Sequence, residues 1–314
     1  MKIAVLIPCY NEELTIGKVI SDFKKELPNA DIYVYDNNSK DDTWKIAQDH
    51  GAIVRKEFRQ GKGNVVRSMF RDIDADCYIM VDGDDTYPAE DVHKLIEPIL
   101  NKHANMVIGD RLSNGTYRHE NKRAFHNLGN QLVKTLINRF FKSNVMDIMT
   151  GYRAFDRQFV KSIPILRTGF EIETEITIHA LDKKFILQEV PITYRDRPTG
   201  SQSKLNTFKD GLKVIKTIFA LCKDYKPLTF FPSTGIFFLI MGLVIGFPVI
   251  LEFAYTRYIT KIPSAILAVG LVLLATLAIM CGLILDTVVK QHKQIYELML
   301  NDYKNQDGRD INEK

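Results

Sequence analysis

The 314-residue chain is short of the residues that mark several large classes of protein. Its four cysteines, Cys9, Cys77, Cys222 and Cys281, are far apart in sequence. They form no CxxC pair or Cys/His cluster, so they point to neither a zinc site nor a disulfide framework, and a reducing cytoplasm suits them. There is one tryptophan, Trp44. Neither sign of charge is in large excess: 42 Lys+Arg face 38 Asp+Glu, a net charge of +4. That balance lacks the concentrated basic surplus of a nucleic-acid binder. No P-loop, HExxH or GxSxG motif occurs. The stretch GKGNVV carries the first two glycines of a dinucleotide fingerprint, but Val66 stands at the third, so it is weak support for such a site. The opening run MKIAVLIPCYNEE is apolar for too few residues before Pro8 to make a signal peptide and is expected to be a first strand.

Charge is also missing locally. No charged residue occurs from Pro227 to Leu251, nor from Ile262 to Leu285. Each stretch exceeds the ~20 residues that cross a ~30 Å hydrocarbon layer as a helix. Soluble core helices rarely stay uncharged for so long. The spacing predicts transmembrane helices at about 229–252 and 263–287, joined by the short loop EFAYTRYITK. Lys213, Lys216, Lys223 and Lys226 precede the first span, and Lys290, Lys293 and Lys304 follow the second, whereas the loop holds only Arg257 and Lys261. By the positive-inside rule the N-terminal domain and the tail 290–314 are both expected on the cytoplasmic side; the expected location is an inner (plasma) membrane. Between domain and spans, residues 207–226 place Leu212, Ile215, Phe219 and Leu221 on one side and lysines elsewhere. This is the pattern of an interfacial amphipathic helix, or of an ordinary surface helix. The expected organisation is a catalytic domain over 1–206, the interfacial segment 207–226, the hairpin 227–289 and the tail.

The domain before the spans alternates in type. KIAVLIP, DIYVYD, AIVRKE, CYIMVD and NMVIGD read as strands; residues 13–27, 40–51, 62–74 and 89–102 have helical spacing. Such alternation predicts a mostly parallel sheet with helices on both faces. Ligands of these sheets bind beyond the carboxyl ends of the strands. Three polar motifs fall there: PCYNEE, DNNSKDDT and, after a central strand, VDGDDTYP. The last packs Asp82, Asp84 and Asp85 together despite their repulsion. A solvated acidic turn would explain it, with Gly83 and Pro88 as punctuation. A divalent cation would explain it better, since such ions need hard oxygen ligands and neutralise the charge. A spacing of two along extended chain brings Asp82 and Asp84 to one side.

The pieces IPCYNEE, YDNNSKDDT, RQGKGN, VDGDD, IGDR, DIMTGYRAF and VPITYRDRPTGSQSKL occur in order. With them, residues 3–205 resemble the family 2 glycosyltransferases of GT-A fold, especially the polyprenyl-phosphate sugar transferases. That group includes dolichyl-phosphate mannose synthases and bacterial bactoprenol glucosyltransferases. The two apolar spans are similar to those of the bacterial members, which implies a homo-oligomer such as a tetramer. The resemblance implies a membrane-bound enzyme that moves a sugar from a nucleotide diphosphate sugar to undecaprenyl phosphate, with inversion. UDP-glucose or UDP-N-acetylglucosamine is the favoured donor and GDP-mannose the alternative. Asp82 and Asp84 are similar to the DxD pair that holds Mg²⁺ or Mn²⁺. Pro8, Tyr10 and Glu12 then form the donor-nucleotide wall, Asp36 and Asn37 the base-contacting pair, and Lys62 and Gly83 lie beside the nucleotide sugar. Arg111, Arg197 and Lys204 correspond to diphosphate clamps, and Arg123 and Asn127 to positions at the acceptor phosphate. Catalytic candidates are Asp84, Asp85 and Arg123.

The chemistry suits these residue types. A lipid monophosphate is largely anionic at neutral pH, because its second pKa is ~6. It needs no strong general base; if one assists, Asp84 or Asp85 is placed for it. The difficulty is bringing two anions together, which cationic side chains and a metal ease. The chain departs from the family at Thr86, where Gln is common, at Asn37 for Asp and at Asn127 for Ser. The loop from Arg197 to Lys204 is one residue longer, so Arg195 could exchange roles with Arg197. Asp147 and Arg153 fit a structural or an acceptor-site role equally. Glu171, Glu173 and Glu175 read as a helix start near Phe170, with a subset able to face the sugar. His119, His126 and His179 lack metal-ligand spacing. Two other functions compete: a processive polysaccharide synthase, disfavoured because Trp44 lies in no QxxRW motif and two spans leave little room for a polymer channel, and an inactive membrane scaffold, disfavoured by the intact DGD triplet.

Overall fold

The computed structural model describes residues 1–113, 124–198, 216, 219–220 and 223–312. Arg123 and Lys204 therefore lie outside the described residues, as do the side chain of Asn127 and most of the expected interfacial helix. The chain separates into two compact units, Met1–Thr217 and Ile218–Lys314.

The first unit is built on a seven-stranded sheet: β1 (Ile3–Cys9), β2 (Asp31–Asp36), β3 (Ile53–Lys56), β4 (Cys77–Met80), β5 (Met106–Asp110), β6 (Arg153–Asp156) and β7 (Leu187–Pro191), in the spatial order β3-β2-β1-β4-β6-β5-β7. All pairs are parallel except those of β6, which runs antiparallel to both β4 and β5. Helices α1 (Ile16–Glu26), α2 (Thr43–Asp49), α3 (Lys62–Asp72) and α4 (Val92–Leu100) connect the first five strands. They are followed by α5 (Ala124–Phe141), α6 (Arg157–Ser162) and α7 (Ile172–Asp182).

The sequence explains this arrangement. Residues 4–7 of β1 and all of β4 are buried, as strands covered on both faces must be. Alternate residues Val5, Ile7, Ile32, Val34, Ile79 and Val81 join one core with Ile16, Val19, Ile20 and Phe23 of α1 and Val92, Leu95 and Ile99 of α4. The i, i+3, i+4, i+7 spacing of α1 supplies that stripe. Across the sheet, Phe70 of α3 meets Tyr78 of β4 and Phe155 of β6, edge-on to the latter with ring centroids 5.5 Å apart.

The five strands and four helices expected between residues 2 and 110 are present, with shorter ends; the last helix begins as a 3-10 turn at Ala89–Asp91. The strands β6 and β7 are additions. RAFD is too short to show a period, and its partners lie far away in sequence. Arg153 within it is fully buried (0 % exposed), an unusual residue for a central strand. Its guanidinium donates to the carbonyls of Ile148 and Thr150 and to the Thr177 hydroxyl, so it ties the turn before β6 to α7. Burial is the main influence on this group and lowers its pKa to about 10, against the pull of Glu173 and Asp147, so it remains a cation.

The second unit contains α8 (Pro227–Thr256) and α9 (Ile262–Asn312), both long and apolar enough to cross a membrane. The helix α9 continues past the expected end of the second span, because backbone hydrogen bonding does not stop where the apolar run does. The two helices pack closely through small residues. A side chain at Gly235 would meet the Ala275 carbonyl at 2.9 Å, and one at Gly242 the Ala268 carbonyl at 3.2 Å. Small residues at such crossings are how lipid-embedded helices associate.

Arg153→Leu is expected to orphan three buried acceptors, each costing ~1–3 kcal/mol. Thermal unfolding of the detergent-solubilised chain should show a loss of at least ~3 kcal/mol; an unchanged midpoint would show that the buried cation is dispensable.

Candidate functional site

The site is assembled at the carboxyl ends of β1, β2, β4 and β5. The loops after β1 and β2 brace each other. Asn11 N–H donates to Ser39 Oγ (2.9 Å), Lys40 N–H to Asn11 Oδ1 (2.8 Å) and Glu12 N–H to Thr43 Oγ1 (2.8 Å). Asn11 and Asn38 turn these loops with φ of 53° and 61°, a left-handed backbone that asparagine tolerates well. Pro8 and Tyr10 are half-buried and Glu12 is buried along this rim. Asp36 accepts from Ser39 N–H through both oxygens, in a local turn. Asn37 is occupied in bracing: its amide donates to the carbonyls of Glu57 and Arg59, and its oxygen accepts from Gly61 N–H at 2.7 Å. That makes Asn37 a clasp on the loop leading into α3.

The clasp positions Lys62. Gly61 has φ 128°, and a side chain there or at Gly63 would come within 2.1 Å of the Thr168 or Arg167 carbonyl. Gly63 N–H donates to the Thr168 carbonyl at 3.0 Å. The two glycines of GKGNVV thus let the 167–168 backbone dock on the start of α3, which replaces the dinucleotide-type reading of that stretch. Glu175 of α7 holds the same segment, accepting from the N–H groups of Leu166 and Arg167.

Lys62 then reaches two carboxylates. Its Nζ lies 2.5 Å from Asp82 Oδ1 and 2.6 Å from Glu173 Oε1. Burial works against the ammonium, but the charges of Asp82 and Glu173 outweigh it and raise its pKa, so it stays protonated. Burial also raises the pKa of Glu173, against the pull of Lys62. Asp82, at the end of β4, is 27 % exposed at its side chain. Gly151 makes room for it, since a Cβ there would fall 2.3 Å from Asp82 Oδ2. Gly83 lets the β4 loop lie over β1: a Cβ would fall 2.8 Å from Cys9 Sγ. The Gly83 carbonyl accepts from Thr15 Oγ1 at 2.7 Å.

Asp84 is 4 % exposed and forms an ion pair with Arg197, which arrives on the irregular segment after β7. Thr86 Oγ1 donates to Asp84 Oδ1 at 2.6 Å, which gives Thr86 a role in holding Asp84 in place. Burial and the nearby Asp82 charge raise the Asp84 pKa, against Arg197 and the Thr86 hydrogen bonds. Asp85, in a left-handed turn (φ 59°), is tied instead to Lys18 of α1 at 2.7 Å. Arg195 pairs with Glu90, so of the two arginines Arg197 is the one at the DGD triplet.

Arg111 is 7 % exposed, and its guanidinium grips Asp147 through two hydrogen bonds of 2.7 and 2.9 Å. It also donates to Tyr87 Oη (3.3 Å) and lies 5.6 Å from the centre of the Tyr194 ring. Tyr87 Oη in turn accepts from Gly151 N–H. Here Asp147 has a structural partner, and Arg111 stands one layer behind Asp82. Burial alone would raise Asp147, but Arg111 overcomes it and holds the carboxyl below its usual range.

Among the described residues, no group of three or more His, Cys, Asp or Glu could hold a metal ion. The donor chemistry fits a cation completed by its ligand instead. Mg²⁺ commonly takes one or two carboxylates and fills its shell with waters and phosphate oxygens. Asp82 and Asp84 are two hard donors on one loop, the second made unfavourable as a lone anion by burial. They are the residues that would hold the ion. In the sequence Glu173 is one of three alternating acids; its pairing with Lys62 comes from α7 packing against the start of α3, a contact between residues 111 apart that one sequence does not reveal.

The Glycosyl transferase family 2 model matches residues 4–163. Glycosyltransferase AglJ of Haloferax volcanii is 31 % identical over 293 residues, covering 93 % of this chain and 95 % of that protein. A dolichyl-phosphate hexose transferase of the same organism is 31 % identical over 71 % of this chain and 94 % of its own length. Among solved structures, glucosyl-3-phosphoglycerate synthase from Mycobacterium tuberculosis, in complex with Mn²⁺, UDP and phosphoglyceric acid, superposes with a TM-score of 0.57. It is 21 % identical and covers 70 % of this chain and 78 % of that one, which shows a shared fold.

An Asp147 pKa held low in the folded state stabilises it above about pH 4, and that contribution fades as pH falls through the folded value. Asp147→Asn is expected to cost ~3–5 kcal/mol at neutral pH by stranding Arg111. The variant's stability should also fall less steeply than wild type below about pH 4, read by chemical denaturation across pH; parallel curves would contradict the pairing.

Proposed function

The chain belongs to glycosyl transferase family 2 and is a glycosyltransferase, and from that premise we propose that it transfers a hexose from a nucleotide diphosphate sugar to polyprenyl phosphate. The observation that carries the proposal is the DGD turn, where Asp82 and Asp84 are each met by a cation, Lys62 and Arg197. A site that must bind a polyanion beside its own carboxylates needs both signs of charge within reach.

In this reading Pro8, Tyr10, Glu12 and Asp36 border the nucleotide, while Asn37 keeps the α3 entry loop in place behind it. Arg197 is the clamp for the donor diphosphate, leaving Asp84 as the diphosphate arrives. Arg111 acts from the layer behind, fixing the turn around Asp147 and Gly151 against which Asp82 rests. Asp82 and Asp84 would hold Mg²⁺ or Mn²⁺, whose positive charge offsets the charge that builds on the departing diphosphate. An oxygen of the lipid phosphate attacks the anomeric carbon as the bond from that carbon to the diphosphate oxygen breaks. A nucleoside diphosphate leaves and the configuration inverts. No proton has to be removed from a dianionic phosphate, which suits a site where Asp85 is held by Lys18.

The acceptor class is supported by the dolichyl-phosphate hexose transferase likeness and by the two helices long and apolar enough to cross a membrane. Undecaprenyl phosphate is the proposed acceptor, at the cytoplasmic face, with both chain ends on that side as the flanking lysines suggest. Arg123 and Asn127 are proposed at the acceptor phosphate, and Lys204 at the donor diphosphate. UDP-glucose or UDP-N-acetylglucosamine is the proposed donor.

The purified full chain with Mn²⁺ and undecaprenyl phosphate should convert one radiolabelled donor among UDP-glucose, UDP-N-acetylglucosamine and GDP-mannose into a lipid-extractable product. Several kcal/mol of charge stabilisation should vanish in Asp84→Asn, which is a rate loss of about 100-fold or more. No product from any donor, or a full rate in Asp84→Asn, would overturn the proposal.

A further inference from the structure

Two carboxylates, Asp82 and Glu173, share the single ammonium of Lys62, at 2.5 and 2.6 Å. Their environments differ sharply. Asp82 is 27 % exposed at its side chain, whereas Glu173 is 6 % exposed and Lys62 11 %. Burying a second carboxylate is costly, and the fold nevertheless presents Glu173 from the first turn of α7. The surrounding structure fixes the pair. Gly61 and Gly63 seat the start of α3 against the 167–168 backbone, and Glu175, one helical position pair beyond Glu173, anchors that backbone.

A cation arriving at Asp82 would otherwise face a choice between two poor outcomes. With Asp82 as sole partner, Lys62 would either compete with the metal for the same carboxylate or be left as a buried, unpaired ammonium. Removing one member of a buried ion pair is strongly destabilising, because the charge left behind is uncompensated. Glu173 removes the conflict, because Lys62 keeps a partner when Asp82 turns away.

We infer that Glu173 is a positioning residue for the divalent cation: it is the standing counter-ion of Lys62, and it frees Asp82 to exchange between the lysine and the metal. This rests on the proposed metal-assisted transfer, and it assigns Glu173 no contact with the sugar. Glu173 acts through Lys62 on the affinity for the ion and leaves the bond-making step alone. In Glu173→Gln the whole charge of Lys62 falls on Asp82, which tightens that pair against the metal.

The test is Mn²⁺ binding to the detergent-solubilised full chain with saturating UDP, followed by electron paramagnetic resonance of the free ion, which needs no turnover. Glu173→Gln should weaken Mn²⁺ about 10-fold or more, the usual cost of removing a partner in the outer shell. Glu173→Asp should recover part of the loss, and Lys62→Met placed on Glu173→Gln should recover most of it. In the transfer assay the Mn²⁺ concentration for half-maximal rate should rise while kcat at saturating Mn²⁺ stays within about 3-fold, a split that general damage to the fold would not produce. Unchanged Mn²⁺ affinity in Glu173→Gln, or a kcat collapse with affinity intact, would overturn the inference while leaving the transferase reading standing. Wild-type protein that binds no Mn²⁺ with UDP present would overturn the metal assignment and this inference together. Normal Mn²⁺ behaviour with no transfer from any donor would instead sink the transferase reading alone.

Discussion

Like charges at the end of a buried strand repel, and the DGD turn after β4 places two carboxylates there with little water around the second. The fold answers with two cations brought from distant parts of the chain. Lys62 comes from the start of α3, and Arg197 from the segment after β7. Much of the local architecture serves these deliveries. Asn37 and two glycines hold the α3 entry, and the 192–198 segment is laid beside the DGD loop by a hydrogen bond from Arg195 N–H to the Thr86 carbonyl.

Behind this first layer lies a second set of charges with little access to water: Arg111 with Asp147, Arg153 on the carbonyls of its own turn, and Glu173 against Lys62. Such groups contribute less to net stability than their number suggests, because desolvation offsets most of the attraction. Their value is geometric. Each holds a turn or a helix end in one arrangement, and the turns are the ones that border Asp82. In the proposed reading the site exchanges its own ion pairs for a metal and a diphosphate, and such an exchange needs walls that do not move with it.

The parallel half of the sheet was legible because β1, β2, β4 and β5 each hold an apolar run and α1 and α4 carry a clear stripe, although β3 (IVRK) is half charged. The strand-end motifs followed from that alternation, so the rim from Pro8 to Asp36 and the DGD turn could be named beforehand. What stayed hidden depends on contacts distant in sequence. The strand β6 is four residues long and gains its identity from β4 and β5. The engagement of Arg111 by Asp147, of Asn37 by the 57–61 loop and of Asp85 by Lys18 cannot be inferred from residue type, which suggests ligand contacts equally well. Thr86, a departure from the family pattern and a poor metal donor, makes sense once its hydroxyl is seen on Asp84. The family resemblance carried what spacing could not, and membership of family 2 agrees with it.

The account turns on the two carboxylates giving up their side-chain partners to a cation and a diphosphate. The most direct measurement is the structure of the full chain with Mn²⁺ and UDP, with the metal located by its anomalous scattering. The account predicts a metal peak against the carboxylate oxygens of Asp82 and Asp84, Lys62 still on Glu173, and Arg197 moved from Asp84 to the diphosphate. A nucleotide bound with Arg197 still on Asp84, or a metal away from both carboxylates, would contradict it.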